Sequence, residues 1–397
     1  VLIRAVSPQS RSPQTRSPQT RRTAVPERRA FTGRSRSSSL YLLVALVAVL
    51  NLVGVVMVLS ASSVLSISSY HNPWHFFERQ VLWLIVGTVA FIVALRVDHH
   101  RWRRLVRPLM VLTLALLGAV LVPGVGVTVA GATRWLGTSS FQVQPSELAK
   151  LSLVLFAADI LDRRADRGER GDWRYQMFPV IYVFAALGTL ILLQPDMGTT
   201  IVLGFILVAL LFVAGLPLKP LFAIFGIGAV LSLVLALAAP YRWRRLTSFV
   251  HPLAHASNTG YQATQALGAL AHGHLTGDGI GVSAASWGWL PNAPTDFIFA
   301  IIGEETGLVG TVLLSALFLG VGLVGIRIAC GAEDRFAGLV AGGITAWIVG
   351  QAVINIGAVV GLLPVTGVPL PFVSFGGSSL VIALFAAGIL GNVASRS

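Results

Sequence analysis

Glu147 and Lys150 stand three residues apart in a stretch otherwise apolar enough to cross a membrane. At that spacing they share a helix face, so they can pair and offset each other's desolvation. Charges inside a membrane are costly and by default mark a function. Two readings of the pair stay open: a structural ion pair, or a polar lining for an ionic substrate. A second acidic set is Asp296, Glu304 and Glu305. Asp296 closes the run Pro291-Asn292-Ala293-Pro294-Thr295-Asp296 at the entry to an apolar segment, where Thr295 or Asp296 can cap a helix. A carboxylate at such a boundary, facing a cleft, also suits a general base. Glu304 and Glu305 are adjacent, so at least one must face inward and find a partner.

Three further groups complete the chemistry-bearing set. Gln194-Pro195-Asp196 ends one apolar segment, and Arg242, Arg244 and Arg245 open a long loop. Arginines beside a carboxylate can hold an anionic group such as a pyrophosphate; the alternative is contact with lipid headgroups. Between Gly361 and Ser379 the prolines at 364, 369 and 371 forbid a continuous helix. Non-helical backbone at membrane depth is tolerated only when it is buried in protein or lines a cavity. The hydroxyls of Ser374, Ser378 and Ser379 would line that cavity. The Gly277–Gly281 stretch lacks the lysine and the strand–helix context of a phosphate loop. Cys330 is the single cysteine, which leaves no internal disulfide and no thiolate metal cluster.

The elements that must position these groups follow from composition. Of 397 residues, 55% are hydrophobic and 11% charged, against about 25% charged in a soluble domain. A soluble surface and a wholly disordered chain are both excluded. The expected fold is an all-α polytopic membrane protein of about ten transmembrane helices. They fall near 40–62, 79–96, 108–124, 146–162, 176–194, 198–216, 219–240, 297–326, 337–360 and 376–394. The fourth is the weakest, interrupted by Glu147, Lys150 and Asp159. The run from Leu40 to Leu59 exceeds the apolar core of a cleavable signal and reads as a first span.

Charge sets the expected orientation. Residues 1–39 hold nine of the arginines and one acid, Glu27, and so +8 of the net +13. This Pro/Ser-rich tail reads as disordered and cytoplasmic, near anionic lipid, rather than as a nucleic-acid-binding arm. Loops 97–107, 163–175 and 327–335 are also rich in arginine. The positive-inside rule then puts both termini in the cytoplasm. Residues 40–397 form the membrane domain, and 241–296 is a long extracytoplasmic loop between helices seven and eight. Its Gly-rich apolar stretches suit a loop that lies on the bilayer or partly re-enters it. Arg134, Arg242, Arg244 and Arg245 stay on the outer side, where the rule does not want them.

At these motifs the sequence resembles the SEDS family of bacterial cell-wall proteins, the FtsW, RodA and SpoVE group. Five stretches carry the resemblance. They are Gly131-Ala132-Thr133-Arg134-Trp135-Leu136 with Gln144 to Lys150; Gln194 to Thr199; Tyr261-Gln262 with Gln265 to Gly268; Thr295 to Ala300 with Gly303-Glu304-Glu305; and Gly361 to Ser379. The resemblance implies a peptidoglycan glycosyltransferase that polymerises lipid II, with Asp296 at the family's essential aspartate. It implies a divalent cation (Mg2+ or Mn2+) or an arginine at the leaving pyrophosphate, and no organic cofactor. Arg134, Lys150, Arg242, Arg244 and Arg245 are the candidates. Implied partners are a class B penicillin-binding protein transpeptidase and other division membrane proteins, with no nucleic acid. The basic tail and the stretch Thr295 to Glu305 resemble the actinobacterial division branch, which implies a place at the septum. One departure is Asn292-Ala293-Pro294, where many relatives carry Glu-Ala-His; no histidine lies between His274 and Asp296. An elongation-type polymerase, a lipid II flippase and a non-catalytic scaffold are the competing readings.

Overall fold

The computed structural model describes residues 34–129, 132–138, 141–166, 173–237, 249 and 260–396. Helices α1 (Arg34–Tyr70), α2 (His75–Arg96) and α3 (His99–Val120) come first. Three short strands follow: β1 (Gly126–Val129), β2 (Ala132–Gly137) and β3 (Gln142–Val143). Helices α4 (Pro145–Asp166), α5 (Trp173–Leu193), α6 (Met197–Val213) and α7 (Leu218–Leu237) come next. After them come α8 (Tyr261–His272), α9 (Ile298–Gly331), α10 (Arg335–Val359) and α11 (Gly377–Arg396). Among the described residues, ten of the eleven helices fall on the ten expected spans, and α8 lies in the long loop. The strands form one antiparallel sheet in the order β1-β2-β3. This sheet is the addition to the expected all-α fold.

Among the described residues six helices, α1, α2, α5, α9, α10 and α11, are long and apolar enough to cross a membrane by length and composition. Helix α6 is apolar but shorter. Helix α4 fails that test because of its charges, and its burial shows why they are tolerated. Ala149, Leu153, Val154, Ala157, Ala158 and Leu161 have no exposed surface. Helix α4 packs on α3, α5, α6 and α10, so protein rather than lipid surrounds it. Helix α1 starts before the expected Leu40 boundary and runs on to Tyr70, through much of the expected first loop.

Successive helices run between two ends of the bundle. One end gathers the sheet, the start of α4, the α5–α6 turn, residues 273–297 and the segment 361–376. We call it the site end. In the loop before α9, Leu275, Ile280, Val282, Trp287 and Trp289 stay exposed. An exposed apolar surface with tryptophans suits the edge of a bilayer.

Candidate active site

The turn before α9 holds Asp296. Asn292 takes a positive φ of 59°, and its carbonyl accepts from the N–H groups of Thr295 at 3.2 Å and Asp296 at 3.1 Å. The turn delivers Asp296 to the mouth of α9, half-buried. Its carboxylate faces Gly367: a β-carbon there would stand 3.6 Å from Oδ2. Gly367 has a φ of +71°, which glycine adopts without strain.

Two side chains and one backbone bond tie this turn to the segment 361–376. The Asn355 amide donates to the Asp296 carbonyl at 2.8 Å and to the Val368 carbonyl at 2.7 Å. The Ser374 hydroxyl donates to the Thr295 carbonyl at 2.5 Å and accepts from the Leu370 N–H at 2.8 Å. The Phe375 N–H donates to the Pro294 carbonyl at 2.9 Å. Gln80 of α2 reaches the Ser374 carbonyl at 3.5 Å. Backbone outside a helix leaves its N–H and C=O groups without ladder partners. Here polar side chains supply the partners, as burial at membrane depth requires.

Glu147 and Lys150 form the second group. Their Oε2 and Nζ are 2.7 Å apart, with side chains 3% and 1% exposed. Lys150 also donates to the Gln351 side chain at 2.8 Å, as does the Trp347 indole. Gln351 in turn donates to the Pro369 carbonyl at 2.8 Å. The buried pair therefore braces α4 against α10 and against the segment 361–376. A small cavity adjoins it, lined among others by Glu147, Gln351, Ser374 and Ser379.

Asp196 and Arg134 form the third. Asp196 caps α6, accepting from the Thr199 N–H at 3.2 Å and the Thr199 hydroxyl at 2.9 Å. Gln144 and Ser146 add donors at 3.1 and 3.3 Å. Arg134, on β2, lies 3.9 Å from Asp196 and donates to the carbonyls of Gln194, at 3.1 Å, and Pro195. Ser378 accepts from the Gln144 N–H at 3.2 Å, joining α11 to the same cluster. Ser379 donates to the Gly376 carbonyl at 3.1 Å. A side chain at Gly198 would collide with the Thr366 carbonyl, so α6 meets the segment 361–376 backbone to backbone.

Three of the groups singled out in the sequence thus converge on one stretch of non-helical chain. Asp296 faces it at Gly367, Lys150 reaches it through Gln351 and Pro369, and the Asp196 cap lies beside Thr366. Ser374 and Ser379 serve to hold it, and Ser378 ties α11 to Gln144. Glu304 and Glu305 sit one step away. The Glu304 carboxylate accepts from the Ser283 hydroxyl and from the N–H groups of Ala284 and Ala285, at 3.1 and 3.3 Å. Glu305 accepts from the Ser60 hydroxyl of α1. Helix α9 is broken between them and the rest of the helix, at Gly307, whose φ is +66°. Loop backbone fills the break. Asp278 and Gly279 donate to the carbonyls of Glu304 and Glu305, both at 3.0 Å; Leu308 and Val309 donate to those of His274 and Leu275, at 3.0 and 3.2 Å. Arg242, Arg244 and Arg245 lie outside the described residues.

Asn355 and Gln351 were missed by the sequence reading. They sit four apart on one face of α10, inside a run without Asp, Glu, Lys or Arg from Phe336 to Ser395. Paired amides in such a run were a usable signal.

Among the described residues no three His, Cys, Asp or Glu side chains gather to hold a metal. The carboxylates of Glu147, Asp196 and Glu304 are already engaged by the donors above. These residues do not make a protein-built cage for Mg2+ or Mn2+.

Comparison with known proteins places this arrangement. A family described as cell cycle protein, the FtsW/RodA/SpoVE group, matches residues 40–397. A probable peptidoglycan glycosyltransferase FtsW of Mycobacterium tuberculosis is 41% identical, over 92% of this chain and 69% of its own. Stage V sporulation protein E of Bacillus subtilis is 39% identical, over 90% and 97%. Among solved structures, a chain of a peptidoglycan synthase complex, described as coordinating polymerization and crosslinking, superposes with a TM-score of 0.71. It is 27% identical and covers 90% of this chain and 97% of that one. The rod shape determining protein RodA of Thermus thermophilus superposes with a TM-score of 0.65 at 27% identity, covering 89% and 95%. With most of its length matched in sequence and in fold, the chain belongs to the FtsW/RodA/SpoVE family of membrane proteins.

Proposed function

We propose that this protein is a peptidoglycan glycosyltransferase that polymerises lipid II at the outer face of the bacterial cytoplasmic membrane, in septal synthesis. The carrying observation is Asp296: one half-buried carboxylate, held by its own backbone against a non-helical segment inside a membrane bundle. Relatives named peptidoglycan glycosyltransferase FtsW support the reaction. The arginine-rich loops support an orientation with both termini in the cytoplasm, which turns the site end outward.

In this reading Asp296 takes the proton from the 4-hydroxyl of the acceptor N-acetylglucosamine. The freed oxygen attacks the anomeric carbon of the donor N-acetylmuramic acid. The bond to undecaprenyl pyrophosphate breaks, and its electron pair leaves with the phosphate. The α-linked donor becomes a β-1,4 linkage by inversion. Arginine stabilises the developing pyrophosphate charge. Arg134 is the candidate within the described residues, with Arg242, Arg244 and Arg245 beyond them. Lys150 is too deeply buried to meet substrate directly, and its part is to brace the segment 361–376. A class B penicillin-binding protein is the proposed partner, since a solved relative belongs to a complex that couples polymerization to crosslinking.

The test is purified protein with labelled lipid II, with and without that partner. Glycan chains are expected from the native chain. Asp296→Ala should lose polymerisation by at least about 100-fold while staying folded. Leaflet exchange without glycan would favour a flippase, and neither activity a scaffold.

A further inference from the structure

Asn355 is 2% exposed and lies on α10, an element otherwise without part in the reaction. Its amide nitrogen has two hydrogens, and each meets a different carbonyl: that of Asp296 at 2.8 Å and that of Val368 at 2.7 Å. Both donors of one rigid, planar group are thus engaged at once, across two separate pieces of chain. One piece carries the proposed base. The other is joined to Gly367, the residue its carboxylate faces, 3.6 Å from where a β-carbon would stand. The amide oxygen is buried and has no hydrogen-bond partner among the described residues. The amide is therefore oriented by its donor side alone. An asparagine kept at this depth with an unmet acceptor carries a desolvation cost, which its two donated bonds must offset.

The geometry points to Asn355 as a positioning residue: it clamps the backbone of Asp296 to that of Val368 and so fixes where the base stands against the segment 361–376. This rests on Asp296 as the base. Ser374 and Phe375 fix the turn through Thr295 and Pro294; Asn355 takes hold of the backbone carbonyl of Asp296 itself. Releasing it lets the carboxylate shift without unfolding the turn. A misplacement of about 1 Å at a reacting group costs on the order of 100-fold in rate. The loss should fall on kcat, because the clamp touches neither sugar nor pyrophosphate.

The experiment is steady-state polymerisation by full-length Asn355→Leu and Asn355→Asp, each compared with the native chain and with Asp296→Ala for kcat, KM and thermal midpoint. Leucine keeps the volume and removes both donors. A buried, protonated aspartate restores one. The expected result is a kcat lower by about 100-fold for leucine and by less for aspartate, with KM for lipid II within about twofold of native. If Asn355→Leu does not fold, Asn355→Asp carries the test against the native chain. Native kcat in either folded variant would overturn the inference, as would a loss confined to KM. Retained polymerisation by Asp296→Ala would instead overturn the base assignment. Loss in Asp296→Ala with native kcat in the Asn355 variants would leave the base standing and remove the clamp.

Discussion

At the site end of the bundle, amides and hydroxyls donate to backbone carbonyls: Asn355 to Asp296 and Val368, Gln351 to Pro369, Ser374 to Thr295. At the opposite end, arginines meet aspartates. Arg103 reaches Asp159 at 2.7 Å and Asp162 at 2.8 Å, Arg163 reaches Asp159 at 2.8 Å, and Arg396 reaches Asp98 at 2.8 Å. The difference follows from the backbone. Helices at the opposite end satisfy their own interior groups and need only their charges balanced. The site end contains chain that is not helical, at a depth where water cannot complete it. Side chains must do so, and each bond that completes the backbone also fixes it. The same bonds that make the broken segment tolerable also make it rigid enough to hold a reacting group.

The buried Glu147–Lys150 pair at the site end breaks the contrast most severely if disturbed. Lys150→Met leaves Glu147 enclosed without its cation, and removing one partner of a buried pair costs about 3 to 5 kcal/mol. The thermal midpoint in detergent should fall sharply, with little change between low and high salt. Adding Glu147→Gln should recover much of the loss, because the uncompensated charge goes with it. A double variant no more stable than Lys150→Met would show that the lysine acts through Gln351 and Trp347 instead.

The break in α9 comes next. Gly277 has a φ of +77°, and a β-carbon there would collide with the Glu305 carbonyl. Gly277→Ala should therefore cost about 2 to 3 kcal/mol. Hydrogen exchange should quicken at Asp278, Gly279, Leu308 and Val309, whose N–H groups cross the break. Unchanged protection at those four amides would mean that the loop tolerates the displacement.

The spans were legible because apolar runs of membrane length have few other readings. The segment 361–376 was legible because its prolines cannot continue a helix. What was not legible depends on contacts across the fold. Gly307 lies in an apolar run that reads as unbroken, and glycine is ordinary in membrane helices; the loop that fills the break is remote in sequence. Three strands of two to six residues are too short for alternation to announce them. Asp196 reads only as the end of an apolar segment until its donors Gln144 and Ser146 are in place. Glu147 and Lys150 were legible as a pair, but their link to Pro369 passes through Gln351, about 200 residues away in the chain.

The smallest expected effect sharpens the contrast from the other side. The Arg396–Asp98 pair joins α11 to the end of α2 with side chains 38% and 32% exposed. Exposed pairs contribute about 0.2 to 1 kcal/mol. Close by, Asn392 donates to the Leu95 carbonyl at 2.6 Å and keeps the same two helices joined. Arg396→Gln should thus lower the thermal midpoint only slightly at low salt. At 1 M salt, where the screening length is about 3 Å, native and variant should coincide. Lys150→Met should keep its full deficit under the same salt, because ions cannot enter around a side chain 1% exposed. If both deficits vanished together, the site end would be held by screened charge as the opposite end is, and the rigidity argued for Asp296 would lose its basis.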